Sequence, residues 1–186
     1  MGYSGAVLAG GASKRFGEDK ALFPYRGKPL LQWVLESLQG AQERFIVANR
    51  PYEGFGVPVY PDLLPGADSL SGLHSALSHA RFPWVAVAAC DLPFLIRDYW
   101  DFLYEKALAS PYPVVVAYSG EGHLEPLAAL YHKDCLPQVE RQIRAGDFLL
   151  RRIPETLGAT YVPFAEVSAR FGERVFLNAN RKEELP

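Results

Sequence analysis

Gly5-Ala-Val-Leu-Ala9 runs directly into Gly10-Gly-Ala-Ser-Lys-Arg-Phe-Gly-Glu-Asp-Lys20. The first five residues are apolar, too short for a helix and closed by turn residues, so they read as a buried strand. The two glycines let the backbone pass close to a ligand, and a basic cluster follows. Backbone N–H groups in such a loop cradle phosphates, while Arg15 and Lys20 neutralise their charge. No Gly-x-Gly-x-x-Gly occurs, so this is not a dinucleotide fingerprint. No Gly-Lys-Ser/Thr closes the loop either, which excludes a Walker A site. An isolated Gly-Gly is usually a solvated surface turn; the strand exit and two basic anchors set this pair apart.

Working outward, the same alternation repeats. Leu30 to Leu38 has the apolar spacing of an amphipathic helix, with Pro29 where a first turn tolerates it. Arg44 to Ala48 and Val57 to Tyr60 read as strands, and Ser71 to Ala80 as a helix with Ser69 or Ser71 as its N-cap. Trp84 to Ala89 is apolar at every position, which suits a strand buried on both faces. Arg97 to Ala109 is helical and Tyr112 to Tyr118 a further strand. Beyond it we expect a strand over Pro126 to Tyr131 and helices over Asp134 to Arg144 and Phe148 to Ile153. A last strand over Val175 to Leu177 and a tail helix from Arg181 complete the reading. Strands alternating with helices give right-handed βαβ units. The expected fold is therefore α/β, a Rossmann-like, mostly parallel sheet with helices on both faces, in one domain over residues 1–186.

Composition narrows the function. The chain has 186 residues, 49% hydrophobic and 22% charged, ordinary for a globular enzyme. A formal net charge of −2 argues against a protein built around nucleic acid. No apolar stretch approaches the roughly 20 residues that span a bilayer, and no basic segment precedes an apolar run as in a signal peptide. Cys90 and Cys135 have neither metal-ligand nor redox spacing. These features predict a cytoplasmic protein without nucleic-acid or membrane partners. Lys14, Arg15, Lys20, Arg26 and Lys28, against Glu18 and Asp19, form a local basic excess that points to a small anionic ligand.

Cys90-Asp91-Leu92-Pro93 follows the most apolar strand. A carboxylate at the carboxyl end of a buried parallel strand stands where ligands bind in open α/β sheets. One aspartate cannot cage a hard cation, but Mg²⁺ keeps waters and takes one or two carboxylates together with substrate phosphates. Asp91 suits that role; the alternative is a capping residue before a proline turn. Lys20, in a segment too polar for the core, is expected to serve phosphates, since Glu18 and Asp19 nearby offer only exposed pairs. His74 falls on a predicted helix and reads as a packed or surface residue, and the four histidines show no ligand spacing.

The stretch Leu8-Ala-Gly-Gly-x-Ser-x-Arg-x-Gly-x-Asp-Lys20, continuing as Ala21-Leu-Phe-Pro-Tyr-Arg-Gly-Lys-Pro-Leu30, resembles the molybdenum cofactor guanylyltransferase (MobA-like) family. The resemblance covers nearly the whole chain, with Phe16 where the family usually has Met. It implies the nucleotide-diphospho-sugar transferase fold and transfer of GMP from GTP to molybdopterin, with Mg²⁺ and release of pyrophosphate. By the same resemblance, Leu8, Ala9, Gly10, Gly11, Lys20, Asn49, Asp62 and Asp91 bind the nucleotide, and Arg15, Lys20 and Asp91 carry catalysis. Asp91 holds the metal. Glu125 in Glu125-Pro-Leu, with Asn178 and Asn180 in Asn-x-Asn, fall on the acceptor side. The sequence departs from the family twice. Asp68-Ser-Leu-Ser-Gly72 stands for Gly-Pro-Leu-x-Gly, and Arg181-Lys182 for Thr-Pro.

The implied reaction needs no protein nucleophile, because a terminal phosphate of the acceptor attacks the α-phosphorus in line. Two rivals stay open. Cytidylyl and sugar-phosphate transferases share the scaffold but typically carry Leu-Ala-Ala-Gly, so Gly10 favours guanine by resemblance. A catalytically idle nucleotide- or cofactor-binding scaffold would not need Lys20 and Asp91. Transient contacts with other cofactor-biosynthesis proteins or molybdoenzymes are also expected.

Overall fold

A computed structural model of the chain describes residues 2–10, 19–179 and 185–186. In chain order the strands are β1 (Tyr3–Leu8), β2 (Pro24–Tyr25), β3 (Lys28–Pro29), β4 (Glu43–Val47), β5 (Val59–Tyr60), β6 (Trp84–Ala89), β7 (Val114–Gly120), β8 (His123–Leu124), β9 (Ala128–His132) and β10 (Thr160–Val162). The helices are α1 (Leu30–Ser37), α2 (Ser69–His79), α3 (Arg97–Ala109), α4 (Leu136–Ala145), α5 (Arg152–Leu157) and α6 (Phe164–Phe171).

The described residues build a sheet in the order β10-β7-β9-β6-β1-β4-β5, with β8 added to β7. β1 lies between β4 and β6 and runs parallel to both, as β4 does to β5 and β10 to β7. β9 inserts antiparallel between β6 and β7, so the sheet is mixed but mostly parallel. The chain leaves β1 toward β4 and β5 on one side and returns to β6 on the other. That is a topological switch point, where open α/β sheets bind ligands beyond the carboxyl ends of the strands.

The strand alternation sends side chains to two cores. Val7, Ile46 and Ala86 join α1, α3 and α6 through Leu31, Leu35, Trp100 and Val167. Ala6, Phe45 and Val87 join α2, α4 and α5 through Leu70, Leu77, Val139 and Ile153. Helices thus cover both faces, and each fully buried leucine contributes roughly 1.5–3 kcal/mol. In the first of these cores Trp100 Nε1 donates to Ser37 Oγ at 3.1 Å, and Ser37 Oγ to the Val34 carbonyl at 2.6 Å.

The elements expected over residues 84–89 and 97–109 appear with those limits, and most others within two residues. Three readings need correction, and one element was missed. Val175 and Phe176 are buried, but the segment is a turn closed by Leu177 N–H to the Arg174 carbonyl at 2.9 Å, not a strand. Apolar residues need burial, not a ladder, and here a turn supplies it. The helix expected from Phe148 starts at Arg152; Phe148 and Leu149 stay exposed after Gly146 ends α4 in a left-handed conformation. Neither Ser69 nor Ser71 caps α2. Asp68 holds the N-cap position without a side-chain bond, and Ser71 Oγ instead accepts from Ala67 N–H at 2.9 Å. The hairpin β2–β3 was not legible because its two-residue turn is Arg26-Gly27, with φ of 48° and 88°, where Asn-Gly is the usual signal. The tail helix expected from Arg181 falls outside the described residues.

Candidate functional site

Three parallel strands end level at the switch point. Leu8 stands opposite Val47 on one side and Ala89 on the other. Backbone bonds continue the ladder one step further, from Ala9 N–H to the Val47 carbonyl at 2.9 Å and from Cys90 N–H to the Leu8 carbonyl at 3.2 Å. Above these ends opens a cleft of about 420 Å³, within the range of small-ligand sites. Leu8, Ala9 and Gly10 form one wall, Lys20 and Asp91 another, and the start of α2 the third.

Lys20 opens a short 3₁₀ turn over Lys20–Leu22, capped by the Asp19 carboxylate, which accepts from Ala21 N–H at 3.2 Å. That turn aims the Lys20 side chain across the cleft, where Nζ lies 3.1 Å from Asp91 Oδ2. The two side chains are 21% and 17% exposed, so the pair is screened only partly by solvent. Asp91 is fixed by its own backbone as well: its carbonyl accepts from Ala179 N–H at 2.8 Å, tying the C-terminal segment to the end of β6. Asn178 precedes that contact and is half-buried beside the cleft wall.

Gly10 has nothing within 4 Å of where a Cβ would stand, so no packing among the described residues requires glycine there. Gly72 differs: a Cβ would come within 2.9 Å of Leu8 Cδ1, so α2 sits directly against the end of β1. Asp62 lines the cleft, and Asn49, just after β4, is hydrogen-bonded to it. Asn49 Nδ2 donates to Asp62 Oδ2 at 2.9 Å, and Asp62 N–H donates to Asn49 Oδ1 at 2.9 Å. This reciprocal pair fixes both side chains at the cleft mouth.

Further residues converge here, among them Asp68 and Glu125, which the sequence had marked, and Ser69, Arg50 and Tyr52, which it had not given a place in the site. Asp68 has φ 53° and ψ −133°, a conformation glycine adopts freely and other residues seldom do. Asp68 and Ser69 line both the cleft and an adjoining cavity of about 650 Å³ that Tyr118, Leu149 and Tyr161 help to enclose. Glu125-Pro126-Leu127 divides the two spaces, Leu127 facing the cleft and Pro126 the cavity. Burial raises the Glu125 carboxyl above its ordinary value against a hydrogen bond from Ser119, and the charge of Asp91 adds to the rise. Cys90 lines the cleft floor; burial, then Asp91, push its thiol up to about 12, so it stays protonated. Asp19, Arg50 and Tyr52 form a cluster beside Lys20, with Arg50 Nη1 2.9 Å from Asp19 Oδ2. The Asp19–Arg50–Tyr52 cluster could not be found from spacing, because it depends on contacts between distant elements.

Gly11, Arg15, Asn180 and the Arg181-Lys182 departure lie outside the described residues. His74 is buried on α2 with Nε2 3.3 Å from Glu140 Oε1 of α4, a packed residue away from the cleft chemistry.

Among the described residues no group of three or more His, Cys, Asp or Glu could hold a metal ion unaided. What the cleft offers is a partly buried Asp91 carboxylate beside space for phosphates. That fits Mg²⁺, which retains water and completes its octahedron with substrate oxygens. Among the described residues no helix is long and apolar enough to cross a membrane.

Comparison with known proteins gives consistent matches. The MobA-like NTP transferase domain family matches residues 5–160. A protein of Deinococcus radiodurans named "Probable molybdenum cofactor guanylyltransferase" is 37% identical over 183 residues, covering 97% of this chain and 90% of that one. One of the same name from Pyrococcus furiosus is 33% identical, covering 97% and 93%. The crystal structure of molybdopterin-guanine dinucleotide biosynthesis protein A from Archaeoglobus fulgidus superimposes with a TM-score of 0.83 at 28% identity, covering 97% of this chain and 94% of that one.

Proposed function

This chain belongs to the MobA-like NTP transferase family, and we propose that it transfers GMP from GTP to the molybdopterin cofactor, releasing pyrophosphate. Its fold is that of the nucleotide-diphospho-sugar transferases. The observation that carries the proposal is the Lys20–Asp91 pair set across a cleft at the sheet's switch point. It brings a phosphate-binding cation and a metal-binding carboxylate to one place.

Leu8, Ala9 and Gly10 would flank the nucleotide, with Gly10 leaving room for close backbone approach. Asn49 and Asp62, locked to each other, present an ordered polar edge to base or ribose. Lys20 has three N–H donors, one of them on Asp91, and its ammonium charge suits phosphate oxygens. Arg15 and Gly11 belong to the same phosphate-binding segment by sequence. Asp91 would hold Mg²⁺, which when bound stabilises charge on the α-phosphate and the leaving group.

A terminal phosphate oxygen of molybdopterin forms a bond to the α-phosphorus while the bond from α-phosphorus to the bridging oxygen breaks. Pyrophosphate departs with that electron pair. The acceptor phosphate is already ionised at neutral pH, so no general base is required. The chain's contribution is to align the reactants and to neutralise charge in a partly dry cleft. The adjoining cavity, behind Glu125-Pro126, would give room for the acceptor, and the motif that holds Asn178 and Asn180 is assigned to the acceptor from its sequence. The assigned compartment is the cytoplasm, in keeping with two free thiols at Cys90 and Cys135. Transient contacts with other cofactor-biosynthesis proteins or molybdoenzymes belong to the same reading. Incubation with GTP, Mg²⁺ and molybdopterin, followed by mass analysis, tests it: the guanine dinucleotide form should accumulate in step with pyrophosphate.

A further inference from the structure

The glycine-rich segment leaves β1 at Ala9 and ends at Asp19, the cap of the turn that carries Lys20. A single side chain from elsewhere in the fold meets both ends. Tyr52 sits in the stretch after β4, buried, with its ring edge-on to Phe55 at 6.3 Å between centroids. Its hydroxyl oxygen lies 3.3 Å from the Ala9 carbonyl and 3.1 and 3.0 Å from the two Asp19 carboxylate oxygens.

A phenol has one proton to donate, so these acceptors share it. The charged acceptor takes the stronger bond. Burial, and then the Asp19 carboxylate, raise the Tyr52 phenol well above its ordinary value, so the hydroxyl remains a donor throughout the range in which the protein works. Arg50 grips the same carboxylate from the solvent side, and Ala21 N–H takes its other oxygen. Asp19 thus transmits the position of Tyr52 to the 3₁₀ turn, and the turn places Lys20 Nζ against Asp91.

From these contacts we infer that Tyr52 is a positioning residue of the donor site: its hydroxyl sets the span between the two ends of the glycine-rich segment and, through Asp19, the place of Lys20. The inference rests on the reading of the cleft as the GTP site. If the hydroxyl merely satisfied a buried polar atom, its removal would lower stability and leave nucleotide binding alone.

Tyr52→Phe keeps the ring and its packing and deletes the bond. GTP affinity by calorimetry, and the KM for GTP, should weaken about tenfold, the usual effect of losing a hydrogen bond to a charged group. The KM for the acceptor should hold within twofold, and the ligand-free melting temperature within a few degrees. Because the hydroxyl acts through Asp19, the double variant Asp19→Ala/Tyr52→Phe should bind GTP no more weakly than Asp19→Ala alone. Unchanged GTP affinity in Tyr52→Phe overturns the inference, as does a melting-temperature loss without one in affinity. Additive losses in the double variant overturn the route through Asp19. A wild-type chain that binds no GTP contradicts the functional reading itself, a distinct outcome.

Discussion

Lys20 Nζ stands 3.1 Å from Asp91 Oδ2, although the two residues are 71 positions apart in the chain. Nearest-neighbour reasoning offers Lys20 only Glu18 and Asp19, whereas the fold gives it the carboxylate at the end of β6. The fold itself holds the two groups together, so the cation and the carboxylate share one position in the cleft.

Lys20→Ala should therefore cost the ligand-free protein about 1 kcal/mol, the upper end for a pair that solvent partly screens. GTP affinity should fall by more, roughly 2 kcal/mol or above, because a charged phosphate contact is lost from a partly desolvated site. Melting temperature without ligand and calorimetric titration with GTP measure the two separately. A large thermal loss with unchanged GTP binding would assign Lys20 to the fold instead.

Asp91→Asn keeps an oxygen that accepts from Lys20 but removes the charge. Its effect should fall on the chemical step, lowering the single-turnover rate on the order of 10²–10³-fold while GTP affinity changes much less. A variant with near wild-type rate at saturating Mg²⁺ takes Asp91 out of the reaction.

Asp68 pays backbone strain at the start of α2 and brings a negative charge to the cleft. Glycine, the residue that the family resemblance implies at this place, is free at φ 53°. Asp68→Gly should thus raise stability by about 1 kcal/mol and tighten GTP binding by removing like-charge repulsion. Denaturant midpoints and GTP titrations check each half; a weaker GTP complex would show that the carboxylate contributes to the site.

What could be read in advance, and what could not, divides along range of interaction. β6 and α3 follow from local pattern, since Trp84–Ala89 is wholly apolar and Arg97–Ala109 has helical spacing. Leu8 and Asp91 could be read as site candidates because strand ends in open α/β sheets are where ligands bind, and Lys20 because its segment is too polar for the core; the fold brings all three to one cleft. The Asn49–Asp62 pair, the strain at Asp68 and the Tyr52–Asp19 contact could not be read. Each arises when β4, β5 and α2 meet, and no spacing along the chain records it. Val175 to Leu177 misled because apolar character reports burial, which a turn satisfies as well as a strand.

Glu43 supplies a stability test with a pH signature. Its carboxylate accepts from Ser4 Oγ and Arg81 N–H, both at 2.6 Å, and from Arg81 Nε at 3.1 Å, joining β4 to β1 and to the turn before β6. Burial works against the charge, but these hydrogen bonds outweigh it and hold the carboxyl below the ordinary 4.5. A lowered folded value means that the stabilisation is complete above 4.5 and is lost as pH falls through the folded value. Glu43→Ala should cost about 1–2 kcal/mol at pH 7, because the buried Ser4 hydroxyl loses its acceptor while the Arg81 donors stay in contact with solvent. The gap from wild type should close in acid; urea unfolding at pH 7 and below pH 4 measures it, and an equal gap at both pH values contradicts the assignment.

The account turns on guanylyl transfer, and donor preference tests it most directly. With molybdopterin and Mg²⁺ present, pyrophosphate release should give a kcat/KM for GTP at least tenfold above those for CTP, UTP and ATP, a difference of about 1.4 kcal/mol in transition-state binding. Equal or faster turnover with CTP would make the chain a cytidylyltransferase, and no turnover with any nucleotide would leave it a binding scaffold.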